Sequence, residues 1–209
     1  MAQSYISKAT LGRLPLYLNY IKSEDVGETV SSTRIAKGLG LGEVQVRKDL
    51  SIVCSDGRPK IGYKTDVLAA AIEEALGVFS PEKVVLVGAG KLGRALLGFG
   101  GFKDYGVDIV AGFDSDERLI GTSPDGKPIY PMEKLAEYCR ENSVHIGVLT
   151  VPESVAQTVC EFMMECGIDA IWNFSPANLK VPEGVLVKRE SLAIGLAHLA
   201  ISSRTELTR

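Results

Sequence analysis

Residues 83–93 read KVVLVGAGKLG, an apolar run that turns at Gly88 into the pattern Gly88-Ala89-Gly90-Lys91-Leu92-Gly93. A continuous apolar run suits a central strand of a parallel sheet, which is covered on both faces. The three glycines of a G-x-G-x-x-G loop answer separate demands. Gly88 permits the tight turn, Gly90 lets the backbone approach a pyrophosphate, and Gly93 lets the helix pack on the strand. The helix that starts here offers unpaired N–H groups to anionic phosphates. A glycine pattern alone is weak evidence; its place between a strand and a helix gives it meaning.

Downstream, residues 108–113, 145–150 and 170–173 are further strand candidates, with helices expected at about 91–99, 131–141 and 153–166. This alternation predicts a doubly wound parallel sheet of the Rossmann type. The second strand ends at Phe113-Asp114-Ser115-Asp116, which puts Asp114 just over 20 residues past the loop. A carboxylate there accepts bonds from adenosine ribose hydroxyls and repels a 2′-phosphate, so NADH and NAD⁺ are favoured over NADP(H). The alternative is a Gly-rich turn followed by a helix-capping Asp. Thr150-Val151-Pro152 and Asn173-Phe174-Ser175-Pro176 end later strands at the edge where such sheets bind ligands. Either can line the nicotinamide side of a cleft or serve as ordinary strand-end turn chemistry, and spacing does not decide between them.

Upstream of residue 80 the pattern is helical. Leu11, Leu14, Leu18 and Ile21 recur at helical spacing over 8–22, with Thr10 as the expected N-cap. Pro15 is expected to kink that helix or end it early. After a polar loop at 23–27, Ser31-Ser32-Thr33 precedes a short helix that stops at the Gly38/Gly40 pair. A third helix over about 43–54 is expected to turn Val44, Leu50 and Val53 inward. Two short helices with a tight glycine-containing connection predict a helix-turn-helix. Residues 56–63, DGRPKIGY, read as a small hairpin or wing, and 66–77 as a helix capped by Asp66 and closed by Gly77. Ser80-Pro81-Glu82 breaks the chain. The expected organisation is a winged-helix domain over 1–80, a Rossmann domain over 81–189, and a helix with a tail over 190–209.

On the third helix, Gln45, Arg47, Lys48 and Ser51 can point outward while Val46 and Leu50 face inward. Arg and Gln pair bidentately with guanine and adenine edges in the major groove. Arg58 and Lys60 on the wing suit the minor groove or the phosphate backbone. The same residues also suit a solvated charged face. Charge distribution bears on the choice: residues 8–64 hold ten Lys/Arg against six Asp/Glu, a net +4, whereas the whole chain is −3 and the remainder therefore −7. A basic module on an acidic body is the pattern of a nucleic-acid binder.

Composition excludes several classes. Hydrophobic residues make up 45% and charged residues 23%, an ordinary globular balance. No apolar run approaches the roughly 20 residues a bilayer requires. The opening MAQSYISKAT lacks the apolar stretch of a signal peptide, so a cytoplasmic location is expected. Cys54, Cys139, Cys160 and Cys166 are spaced for neither zinc nor a short redox pair, and His145 and His198 stand far apart. Reduced, mostly buried thiols and no metal site are the expectation. An NAD-dependent oxidoreductase would need a substrate domain and a proton-relaying side chain. The sequence after the last strand candidate has room for little more than one helix, and neither histidine has a catalytic setting. The expectation is not an enzyme.

Taken together, KATLGRLPLYLNY (8–20), VSSTRIAKGLG (30–40), QVRKDLS (45–51), Gly62-Tyr63, GAGKLGRAL (88–96), GFDSD (112–116), LTVPESVAQ (149–157) and NFSPANLKVP (173–182) resemble the Rex family of redox-sensing transcriptional repressors. The resemblance spans nearly the whole chain. It implies an A/T-rich palindromic operator, repression of fermentative or respiratory genes, and release from DNA when NADH binds. It also implies a homodimer whose C-terminal helix crosses to the partner beside the partner's DNA-binding domain. Arg47 and Lys48 match the family's DNA-contacting helix; Gly88, Gly90, Gly93 and Asp114 match its dinucleotide site. There are departures. The family's wing region, SYFGxxGxRGxGY, here reads SIVCSDGRPKIGY, with Ile52 and Val53 for the aromatics and Pro59-Lys60 at the Arg-Gly position. An Arg, a Tyr and an Asp that couple the domains in the family align with Asn19, Phe99 and Ser191, and the last helix, SLAIGLAHLAISS, lacks the usual aromatic pairs. The expectation is a divergent member that keeps its dinucleotide pocket and couples it to DNA more weakly or by other contacts. A repressor with an uncoupled Rossmann domain is the alternative.

Overall fold

The computed structural model describes residues 6–23, 25–123 and 125–206. The chain forms two compact units. The first joins Gly101–Val107 to the described residues up to Glu82, and the second comprises Lys83–Gly100 and the described residues from Asp108 onward.

In the first unit, α1 (Lys8–Ser23) starts on Ser7, whose hydroxyl accepts the Thr10 N–H at 3.1 Å. Thr10 is therefore not the cap; it is buried inside the helix. Nor does Pro15 end the helix, which runs through it unbroken. An interior proline costs about 3 kcal/mol. Leu14, Tyr17 and Leu18, with no exposed surface, return roughly 1.5–3 kcal/mol each, so burial wins.

Helix α2 (Ser32–Leu39) is capped by Ser31, which accepts the Arg34 N–H at 3.1 Å, and is closed by Gly40 in the left-handed region. In α3 (Glu43–Val53) the buried stripe is Val46, Asp49 and Leu50. Val44, expected inside, is 56% exposed because it stands half a turn from that stripe. Strand β1 (Thr29–Val30) pairs antiparallel with β2 (Tyr63–Lys64), and an Arg58–Gly62 bridge closes the wing above them. Helix α4 (Thr65–Ala75) begins one residue before the expected cap. Lys64 holds the cap position, and Asp66 lies in the first turn. Leu14, Tyr17, Ile35, Leu50, Leu68 and Ile72 centre the core of this unit.

The second unit is a seven-stranded sheet flanked by helices. Its strands are β3 (Glu82–Val87), β4 (Val107–Asp114), β5 (Gly121–Thr122), β6 (Pro128–Pro131), β7 (Ile146–Leu149), β8 (Ala170–Asn173) and β9 (Leu186–Arg189). They lie in the order β5-β6-β4-β3-β7-β8-β9. β3, β7, β8 and β9 run parallel in sequence along the sheet, as do β4 and β6, and β5 pairs antiparallel with β6. From β3 the chain winds outward one way through β4 and β6, then the other way through β7, β8 and β9. The switch point therefore lies at the carboxyl ends of β3 and β7, where such sheets hold ligands. Helices α5 (Lys91–Gly98), α6 (Leu135–Asn142) and α7 (Glu153–Glu165) are the connections, and α8 (Leu192–Glu206) follows β9.

Val85, Val87, Phe113, Leu149 and Met163 form a separate core here. Cys139 and Cys160 are buried in it as free thiols, and burial pushes Cys139 up to about 11, well away from thiolate reactivity. Every side chain over 192–204 in α8 is exposed. Among the described residues no group of His, Cys, Asp and Glu could hold a metal ion, and no helix is long and apolar enough to cross a membrane.

Two wing residues occupy the left-handed region, Lys60 (φ 67°) and Gly62 (φ 92°), and they should respond oppositely to exchange. A Cβ at Gly62 would run into the Val30 carbonyl. Gly62→Ala should lower the stability of the first unit by about 2 kcal/mol or more. Lys60→Gly should leave it unchanged or raise it by up to about 1 kcal/mol, because a side chain in that region carries a steric cost. Urea unfolding of both variants checks this; equal destabilisation by the two would contradict it.

Candidate dinucleotide cradle and nucleic-acid interface

The loop between β3 and α5 depends on what two glycines lack. Gly88 sits at φ 100°, where a Cβ would also press on Val151 and on the backbone of Thr150. A Cβ on Gly93 would run into the Gly88 carbonyl oxygen, so only glycine lets α5 come this close to the loop. Gly90 differs: nothing stands within 4 Å of where its Cβ would be. It is the N-cap of α5 and has no side chain with which to cap that helix, so the first-turn amides have no partner from the cap residue. That is the geometry an anionic group needs.

Asp114, at the end of β4, reaches back to this loop. Its Oδ2 accepts the Ala89 N–H at 2.6 Å and its Oδ1 the Asp116 N–H at 2.9 Å. Two of the roughly four acceptor sites of a carboxylate are thus used, which leaves capacity for ligand hydroxyls. Ala89 is buried and contributes its amide, whereas Lys91 and Leu92 are exposed at the start of α5. Thr150, at the end of β7, donates its hydroxyl to the Gly88 carbonyl at 2.6 Å and so braces the turn.

These residues surround a cavity of about 420 Å³, in which Thr150, Val151 and Pro152 stand with Gly88, Gly90, Asp114 and Ser115. Met132, Val155, Thr158 and Val159 complete its wall. Sequence reasoning missed these four. Val155, Thr158 and Val159 share one face of α7 at helical spacing, a stripe that reads as ordinary core. A carboxylate with acceptor capacity to spare, uncapped amides and an adjoining apolar wall fit an adenine dinucleotide. Asn173, Ser175 and Pro176 do not join this cavity. The Asn173 amide donates to the Ala177 carbonyl at 3.0 Å and accepts the Ser175 N–H at 2.8 Å, and Ser175 Oγ accepts the Ala177 N–H at 3.3 Å. Those side chains knit their own loop.

In the first unit, Gln45, Arg47, Lys48 and Ser51 are all exposed on α3, with Ser51 donating back to the Lys48 carbonyl at 2.8 Å. Arg47, Arg58 and Lys60 border one groove of about 610 Å³, together with Ser31, Ser32 and Thr33 at the start of α2. Three cations beside a helix N-terminus suit a phosphate backbone. Ser32 and Thr33 had been read only as caps.

The residue that holds α3 in place is Asp49, 3% exposed. Arg13 grips it bidentately, Nε to Oδ2 at 2.7 Å and Nη2 to Oδ1 at 2.8 Å. The Tyr17 hydroxyl donates at 2.7 Å and the Thr10 hydroxyl at 3.0 Å. Burial pushes the Asp49 carboxyl upward, but the bonds from Arg13, Tyr17 and Thr10 outweigh it and hold the group below the usual carboxylate range. Burial and the bond to Asp49 push Tyr17 up to about 12.

Comparison with known proteins bears on both sites. Residues 79–177 match the family "CoA binding domain", and residues 5–51 match the family "Putative DNA-binding protein N-terminus". Proteins named redox-sensing transcriptional repressor Rex are similar over nearly the full length. That of Treponema denticola is 41% identical, covering 99% of this chain and 100% of its own. That of Bacteroides thetaiotaomicron is 43% identical, covering 94% and 89%. Among solved structures, the Rex-family repressor RSP in complex with β-NADH matches with a TM-score of 0.80 at 28% identity, over 98% of this chain and 97% of that one. RSP in complex with β-NAD⁺ and operator DNA matches with a TM-score of 0.77 at 28% identity, over 98% and 94%.

Thr150→Val should weaken dinucleotide binding about tenfold by calorimetry, because the Gly88 carbonyl loses its hydroxyl donor and the turn its brace. An unchanged affinity would show that Thr150 does not set the loop. The Asp49 network gives a pH signature. Its folded pKa is depressed, so its stabilisation is fully present above the unfolded carboxylate value of about 3.9 and is lost as pH falls through the lower folded value. Asp49→Asn should remove that acid limb and cost about 3–5 kcal/mol at pH 7. Unfolding curves between pH 2 and 7 compare the two proteins.

Proposed function

The chain belongs to the Rex family of redox-sensing transcriptional repressors, and on that premise we propose how its two sites divide the work. It is a regulator and not an enzyme; NADH and NAD⁺ are its cofactors and operator DNA is its partner. One observation carries the residue assignments: a single chain holds an amide-lined cradle closed by an acidic ribose acceptor and, separately, an exposed Gln/Arg/Lys helix beside a cationic wing groove.

In this reading the amides at the start of α5, opened by Gly90, hold the pyrophosphate. Asp114 takes the adenosine ribose, and the wall from Met132 and α7 covers the adenine. The dinucleotide supplies occupancy and redox state, with no reaction on the protein. Gln45, Arg47 and Lys48 face the major groove, Arg58 and Lys60 the adjoining backbone or minor groove, and Ser32 a phosphate at the start of α2. The domains are a winged helix over 1–80, a Rossmann domain over 81–189 and a dimerising segment over 190–209. Support for a homodimer comes from α8, where Leu192, Leu196, Leu199 and Ile201 are each more than 60% exposed. A helix apolar on all sides belongs in an interface. A two-fold dimer also matches a palindromic operator. The protein works in the cytoplasm, where its DNA is.

At the three positions that couple the domains in the family, this chain lacks the Arg, the Tyr and the Asp. Asn19 accepts the Tyr105 hydroxyl at 3.3 Å within the first unit, Phe99 is half exposed at the end of α5, and Ser191 caps α8 by accepting the Ile194 N–H at 3.2 Å. None of these can form an ion pair. Any ligand effect on DNA must therefore come from packing that differs between the two states.

The test is operator binding by fluorescence anisotropy at fixed salt, with saturating NADH or NAD⁺, on a duplex selected from a random library. NADH should weaken binding at least tenfold relative to NAD⁺. Equal affinities would leave a repressor whose cradle is uncoupled. Failure to bind either dinucleotide at millimolar concentration would sink the cradle assignment itself.

A further inference from the structure

Gln45 stands one helical turn before Asp49, and both meet the same guanidinium. With its carbonyl oxygen turned toward Arg13, the Gln45 amide accepts from Nη1 at 3.0 Å and from Nη2 at 3.3 Å. The opposite orientation would set amide N–H groups against guanidinium N–H groups, donor against donor. Arg13 cannot turn away to relieve this. Its Nε and Nη2 are committed to Asp49, and releasing them would leave a buried carboxylate without its charged partner. An amide oxygen has two lone pairs, and Arg13 fills both.

We propose that Arg13 is a positioning residue that fixes Gln45 as a donor-only reader of base edges. The inference rests on the assignment of α3 to the DNA-facing side. It changes what Gln45 can recognise. A free glutamine reads adenine bidentately, accepting from N6 while donating to N7. Gln45 has no acceptor left, so the adenine amino group contributes nothing to its contact. It donates to guanine O6 or N7, to thymine O4, or to adenine N7 alone. It rejects cytosine, whose major-groove edge offers only the N4 donor. Specificity at this position thus originates in α1, 32 residues away in sequence and off the reading helix.

The experiment selects a binding site for the full-length protein from randomised duplexes, then measures affinity for all four base pairs at each position. Gln45→Ala identifies the position Gln45 reads as the one where preference flattens. There the wild-type protein should disfavour cytosine about tenfold. With adenine at that position, a 7-deazapurine should cost a similar factor, while removing the N6 amino group should change affinity less than twofold. Gln45→Glu, whose carboxylate pairs with Arg13 and leaves only acceptors outward, should turn the preference toward cytosine or adenine by at least tenfold. Arg13→Lys keeps a cation for Asp49 but removes the fork, and should restore sensitivity to the adenine amino group. Circular dichroism checks that this variant folds; Gln45, being exposed, can be replaced without touching the core. Loss of affinity on removing the amino group from the wild-type contact would overturn the proposal. So would a Gln45→Glu protein that keeps the wild-type preference, or a Gln45→Ala protein that keeps it at every position. A wild-type protein with no sequence preference at all would instead overturn the assignment of α3.

Discussion

A carboxylate buried on the inner face of α3 sets the geometry of that helix's exposed face. Asp49 occupies a position where an apolar side chain would serve packing as well, and burying it unpaired would cost several kcal/mol. The structure surrounds it with three donors from one neighbouring helix, Arg13, Tyr17 and Thr10, which converts a liability into a directional constraint. Apolar contacts tolerate sliding by a fraction of an ångström, whereas a bidentate fork with two further hydroxyls does not. The helix that presents Gln45, Arg47 and Lys48 is therefore fixed about its own axis. The same network explains why α1 survives Pro15, because its buried face is held by charge as well as by leucine.

The dinucleotide cradle is built by the opposite means. Its shape follows from side chains that are missing, at Gly88 and Gly93, where backbone meets backbone too closely for a Cβ. Asp114 and Thr150 then tie the loop from two sides, one to an amide and one to a carbonyl. Rigidity here comes from paired backbone groups, and openness is confined to Gly90. A ligand entering the cradle finds donors already aligned and displaces no protein cap, which lowers the ordering cost of binding.

This contrast also decides what could be read from the sequence. The Gly-rich loop, the apolar β3 and the acid at the end of β4 were legible because each is a local pattern with a mechanism. The strands β5, β6 and β9 were not. The first has two residues, the second is bounded by prolines, and the third lies exposed at the sheet edge without the alternation that marks a strand. Thr10 and Asp66 do not cap their helices, and Pro15 does not end α1, because capping and breaking rules are local while the helix bounds follow tertiary contacts as well. Asp49 could have raised suspicion as a charge on an otherwise inward stripe. Its partner, Arg13, lies 36 residues away, and no spacing rule reaches that far. The wall of Met132, Val155 and Val159 was invisible for a subtler reason, since apolar residues facing a ligand look identical to apolar residues facing a core.

A redox sensor must do more than hold its ligand. NADH and NAD⁺ share their adenosine and pyrophosphate and differ by a hydride and one charge at the nicotinamide ring. Under the proposed assignment, Asp114, the amides after Gly90 and the wall from Met132 and α7 address the shared part, and a contact made equally with both forms shifts no equilibrium however tight it is. Those residues supply affinity. Discrimination has to arise where the ring lies, and a tenfold preference requires only about 1.4 kcal/mol there. In the loop after β8, Asn173 and Ser175 bond to their own backbone and stand outside the lining of the cavity. A neutral and a cationic ring differ in what it costs to desolvate them, so an apolar surround by itself can tell them apart. An ion-pair network through Asn19, Phe99 and Ser191 would need charges that these residues do not carry.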